Sequence, residues 1–145
     1  MKKLNLWLFA SLFVAALTLS ACGGSDDEPT SNNRLSGKWK YTKSLADGDK
    51  DVYTLTFGTD NSYTMVQELY SGDKLHVRWI YKGNYIATDA EATVTVNQIL
   101  GQNPEDPEPW ATSYTQAPFK VEYRIDGNKL YLVGDVIPEG PYIKQ

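Results

Sequence analysis

The chain has 145 residues and a mass of 16.3 kDa, which is room for one folded domain once an export segment is set aside; two separate cores are excluded. Lys and Arg number 14 against 18 Asp and Glu, a net charge of −4, the wrong sign for the counterion-release grip that nucleic-acid binders use. One Cys and one His exclude internal disulfides and leave zinc sites and Cys–His catalytic pairs short of ligands. Ten Tyr, four Trp and four Phe in a chain that is 41% hydrophobic supply enough apolar surface for a core.

The first element is an export signal. Met1-Lys2-Lys3 is basic, residues 4–19 are apolar but for Asn5, Ser11 and Thr18, and small residues follow. Polar Gly-Gly-Ser-Asp-Asp-Glu comes next, so the order is that of a signal peptide over residues 1–21 rather than a retained membrane helix. Leu19-Ser20-Ala21-Cys22 resembles the lipobox of bacterial lipoproteins at all four positions. That resemblance implies that Cys22 is lipidated, palmitate included, and becomes the first residue of the mature chain; the alternative is an ordinary signal with a stray thiol beside it. Two or three acyl chains anchor stably where one does not, so the mature protein is expected to be anchored to a membrane without spanning it. Loss of Lys2 and Lys3 leaves 12 basic against 18 acidic residues, a mature charge of −6.

Residues 23–33 carry no large apolar side chain and cannot offset the entropy of their own ordering. With Cys22 and Arg34 they form an acidic tether, and eleven such residues span about 18 Å at root-mean-square. Asp26-Asp27-Glu28 resembles the surface-export signal of Bacteroidota lipoproteins, which implies an outer-membrane anchor with the domain facing the cell surface. An acidic linker without that meaning is the alternative.

From residue 35 to 145 the pattern is β. Residues 37–45 set Trp39 and Tyr41 against Lys38 and Lys40, and residues 52–57 set Tyr53, Leu55 and Phe57 against Thr54 and Thr56, with Ala46-Asp47-Gly48-Asp49 turning between. In residues 62–70, Tyr63 and Met65 begin one face and Val66, Glu68 and Tyr70 the other, which predicts a bulge between them. Residues 75–81 alternate Leu75, Val77, Trp79 and Tyr81 with His76, Arg78 and Ile80; Lys82-Gly83-Asn84 breaks or bends the strand before residues 85–88. Residues 92–100 turn Ala92, Val94 and Val96 inward. Residues 119–125 alternate Phe119, Val121, Tyr123 and Ile125 with Lys120, Glu122 and Arg124, and Asp126-Gly127-Asn128 turns into residues 129–133. Residues 137–143 either close the sheet as a short strand or lie along its outside. No helical period runs through the mature chain, so the fold class is all-β. Nearest-neighbour hairpins predict one antiparallel up-and-down barrel of about eight strands. A two-sheet sandwich is the alternative, with residues 101–118 as its long crossover.

Leu35-Ser36-Gly37-Lys38-Trp39 resembles the Gly-x-Trp opening of lipocalins, and the domain is similar to the lipocalin-like lipoproteins of Bacteroidota. The resemblance implies that Trp39 closes one end of the barrel beneath a late basic residue. Arg124 is the late arginine, but its alternation with Tyr123 and Ile125 sets it on the outer face.

Catalysis finds little support. His76 lies mid-strand with no Gly-x-Ser-x-Gly elbow in the chain, and Glu68, Glu122 and Asp126 read as solvated charge, so no enzyme, cofactor or metal is expected. Asp47, Asp49 and Asp51 alternate in a turn, but the order of a calcium loop is missing. The aromatic set is richer than a small core needs and is dominated by Tyr, which carries a polar tip on an apolar body. An eight-stranded bore is either filled or holds one small ligand. Trp39, Tyr41, Tyr53, Phe57, Trp79, Tyr81 and Tyr123 are the expected lining of such a bore, for a partly apolar ligand in a monomer. The rival reading is a surface module with a filled core, gripping a protein or glycan through the acidic, proline-rich residues 101–110 and Trp110. A bore of about 300 Å³ or more favours the first.

Overall fold

The computed structural model describes residues 34–112 and 116–145. The export segment, Cys22 and the tether up to residue 33 lie outside the described residues. The chain forms β1 (Gly37–Ser44), β2 (Lys50–Phe57), β3 (Ser62–Ser71), β4 (Lys74–Ala87), β5 (Glu91–Asn103), β6 (Asp106–Thr112), β7 (Phe119–Asp126), β8 (Lys129–Val133) and β9 (Tyr142–Lys144), with one 3-10 turn at Ala46–Gly48. Every pairing is antiparallel. Eight strands close a ring in the order β1-β2-β3-β4-β5-β7-β8-β9, with β9 bonded to both β8 and β1, and β6 lies outside it on the distal half of β5. The fold is an up-and-down barrel. Closure of β9 onto β1 rules out the sandwich and answers where the C-terminal residues go.

The period-two pattern decides which side chains fill the ring. Trp39, Leu55, Phe57, Tyr63, Tyr85, Val94, Leu130 and Tyr142 are at most 2% exposed. Lys38, Lys40 and Thr56, which alternate with them, and Lys120, Glu122 and Arg124, which alternate with buried Val121 and Tyr123, are exposed. In five-residue β8, Leu130 and Leu132 alternate with Lys129 and Val133, and each buried leucine contributes about 1.5–3 kcal/mol, which is what holds so short a strand.

Three local expectations need correction. In β3 the bulge falls between Leu69 and Tyr70, not after Met65, so Gln67 continues the inward file of Tyr63 and Met65, and Val66 and Glu68 point out. There Glu68 accepts two hydrogen bonds from Arg78, at 2.9 and 2.6 Å. β4 does not break at Lys82-Gly83-Asn84 but runs through, shifted by one residue against β5 between Lys82 and Gly83. A Cβ on Gly83 would sit 1.8 Å from the Thr95 carbonyl oxygen, so only glycine lets the two backbones meet there. Finally, residues 101–118 are not one long connection: 106–112 fold back as β6, pairing Trp110 with Gly101.

Candidate functional site: the bore of the barrel

One half of the bore is solid. Phe57 packs on Tyr63 at 5.4 Å between centroids and on Tyr85 at 5.0 Å, and the Trp39 indole donates to the Leu35 carbonyl at 2.8 Å. The Lys144 ammonium lies 5.1 Å from the Trp39 ring. The basic partner of the opening tryptophan is therefore a lysine of β9. Arg124 instead covers Tyr131 on the outside at 4.5 Å.

The hydroxyls at this end are spent on backbone. Tyr85 donates to the Gly58 carbonyl at 3.0 Å and Tyr123 to the Thr88 carbonyl. Burial pushes the Tyr123 phenol above its ordinary range, an effect that the positive charge of Arg34 partly offsets.

The other half is hollow. A cavity of about 900 Å³ lies between β2, β3, β4, β5 and the segment 134–139 that joins β8 to β9. This is within the size range of small-molecule sites. Its deep wall is Tyr63, Met65, Val96 and Ile99, all at most 8% exposed. Tyr53, Trp79 and Tyr81 form the aromatic side, and exposed Lys43, Asp135, Val136 and Glu139 rim the mouth. The Tyr53 hydroxyl donates to Asp51 Oδ2 at 3.2 Å and accepts from Gln67 Nε2 at 3.1 Å. Burial, and then the charge of Asp51, push that phenol up to about 12. Burial raises the Tyr81 phenol as well.

The hydroxyls of Tyr63 and Tyr142 stand apart. Both rings are at most 1% exposed, and neither oxygen has a hydrogen-bond partner among the described residues. Desolvation pushes both phenols far above their ordinary range.

Of the seven aromatic residues expected to line the bore, the structure brings Tyr53, Trp79 and Tyr81 together on the cavity wall. Trp39 and Phe57 belong to the packed half and do not line it, and neither does Tyr123, which borders a separate, smaller depression by Glu91 and Arg124. Tyr41 fills space between Tyr53 and Tyr142, at 6.3 and 5.2 Å. Trp110 is 42% exposed and stands edge-on to Trp79 at 5.9 Å, so it belongs to the aromatic rim of the barrel and not to a free loop tip. Cys22 lies outside the described residues.

Sequence reasoning missed Tyr63, Met65 and Gln67 as a file along the wall; strict alternation through β3 would have found them. Nothing in residues 134–139, Gly-Asp-Val-Ile-Pro-Glu, announced that they flank the mouth.

The geometry defines a closed barrel with a one-sided, aromatic-walled cavity. No family model, curated protein or solved structure matches the chain.

Proposed function

We propose that the protein is a lipid-anchored binding protein: a lipocalin-like lipoprotein, tethered through Cys22 to the outer membrane and displayed at the cell surface, whose bore takes up a small, partly apolar molecule. The observation that carries the ligand reading is the cavity of about 900 Å³ behind Tyr53, Trp79 and Tyr81, three times the threshold set above for a bore that holds a ligand. The Gly-x-Trp opening and the lysine lying over Trp39 support the lipocalin likeness. The lipobox and acidic triplet support anchoring and display.

Binding is favoured over catalysis. The single imidazole, His76, is exposed and off the cavity wall, and the phenols of the wall, neutral near pH 7 as ordinary phenols are, are pushed still higher by burial, which suits hydrogen bonding better than proton transfer.

Two experiments test the two halves. Titration with a library of small apolar compounds should shift tryptophan emission, and Trp79→Ala should remove that response while the β-type circular dichroism stays. A silent library with the folded protein would refute the bore as a binding site. Cys22→Ala should move the protein from the membrane to the soluble fraction; unchanged fractionation would refute the anchor.

A further inference from the structure

The cations of the barrel are unevenly matched. Lys50, Lys74, Arg78 and Lys120 each meet a carboxylate. Lys38, Lys40 and Lys129 are exposed and form no ion pair among the described residues. They lie together, because β9 bonds to β8 on one side and to β1 on the other. These three neighbouring strands carry lysines at 38, 40, 43, 129 and 144 and no acidic residue, although acids outnumber bases in the chain, 18 to 14.

Lys129, Ile143 and Lys40 stand in one register row across the three strands, and Ile143, between the two ammonium groups, is 36% exposed. Gln145 prolongs the contact with β1, its amide donating to the Lys38 carbonyl at 2.8 Å. Beside the row Arg124 covers Tyr131 at 4.5 Å. Carboxylates border this face at Asp126, in register with Lys129, and at Glu139 ahead of β9. Exposed lysines around an aliphatic side chain are the chemistry of a surface that rests on anionic lipid.

The chain enters the barrel at the same place. Residues 22–33 join it through Arg34, just ahead of Gly37 at the start of β1. A flexible tether there holds the face at an effective concentration in the millimolar range, so weak attraction is enough to dock it. The overall negative charge does not prevent this, since salt screens charges more than about 8 Å from the surface.

We infer that the face formed by β8, β9 and the first half of β1 is a membrane-docking surface, which sets Lys38, Lys40 and Lys129 among the anionic phosphates of lipid headgroups with Ile143 between them. This deepens the proposed anchoring at Cys22 and rests on it. Docked so, the barrel lies on its side instead of standing clear on its tether, and β4, opposite β9 in the ring, faces away from the membrane.

The test couples the mature chain, residues 22–145, through its single thiol, Cys22, to a maleimide headgroup lipid. Two kinds of vesicle carry it: phosphatidylcholine alone, and an equal mixture with phosphatidylglycerol. Brief acetylation followed by mass spectrometry reads each lysine. The anchor is supplied chemically, so the outcome does not depend on lipidation in the cell, which the fractionation of Cys22→Ala tests separately.

A lysine held at an anionic surface is favoured there about fivefold, so Lys38, Lys40 and Lys129 should acetylate at least about threefold more slowly on the anionic vesicles. Lys74 and Lys82 of β4 should react alike on both, and high salt should abolish the difference. Lys40→Gln with Lys129→Gln should remove the protection of Lys38, whereas Lys74→Gln with Lys82→Gln, an equal change of charge, should leave it. Equal acetylation of Lys38, Lys40 and Lys129 on the two vesicles would overturn the inference. So would protection as strong at Lys74 and Lys82, which would mean attraction without a face, or equal loss of Lys38 protection from the two variant pairs.

Discussion

Two glycines show how a single missing methyl decides strand contact. At Gly83 a Cβ would meet the Thr95 carbonyl oxygen at 1.8 Å, whereas at Gly101 it would meet the Trp110 indole at 2.4 Å. Backbone yields less readily than a rim side chain. Gly83→Ala should therefore cost about 3 kcal/mol or more and Gly101→Ala about 1–2 kcal/mol, with Gly101→Ala also red-shifting tryptophan emission as Trp110 leaves Trp79. Chemical denaturation reads both, and the reverse ranking would contradict the register of β4, β5 and β6. Tyr142 offers a second residue-level test. Its ring is fully buried against Tyr41 while its hydroxyl is unpaired. Tyr142→Phe should be neutral or stabilising and Tyr142→Ala should cost about 3–5 kcal/mol; a large loss from the phenylalanine variant would mean that the hydroxyl has a partner.

At the scale of elements, the ring is uneven. β1 and β2 share eight paired positions, whereas β9 makes two with β1 and two with β8. Opening should begin at that seam. Native-state hydrogen exchange should find the Lys144 amide, which donates to the Asn128 carbonyl at 2.9 Å, less protected than the amides of Leu55 and Met65. Equal protection would show that the ring opens only as a whole. Most elements were legible because lysine and threonine alternate with aromatic and aliphatic residues in β1, β2, β4 and β7. What was not legible depended on tertiary pairing. The one-residue shift at Leu69/Tyr70 leaves no mark in the local pattern, since either phase buries some apolar side chains, whereas the shift at Lys82/Gly83 falls where Lys82-Gly83-Asn84 reads as a break or a bend. β6 was hidden because its prolines read as loop, although prolines are tolerated on a strand outside the ring. The candidate site was half legible: Trp79 and Tyr81 share a phase and face the cavity, but alternation alone does not say at which depth a barrel is solid, so Trp39 and Phe57 were grouped with them.

For the molecule as a whole, the buried tyrosines tie stability to alkaline pH. Phenols in the bore titrate above the ordinary value near 10, up to about 12 for Tyr53, whereas in the unfolded chain they ionise near that ordinary value. Their stabilising contribution is complete below about pH 10 and is lost as pH rises towards the folded value. Absorbance at 295 nm should resolve an early phase near pH 10 from exposed tyrosines and a later one coincident with loss of the β-type circular dichroism. A single early phase in the still-folded protein would contradict the packing of the bore.

The most direct test is native mass spectrometry of the protein purified from its own cells. The account predicts a folded species carrying one small, partly apolar organic molecule, released on gentle activation, with the carried fraction falling sharply in a Trp79→Ala, Tyr81→Ala variant that keeps the barrel. A bare folded chain under the mildest conditions, together with no adduct after incubation with the library of small apolar compounds, would contradict it.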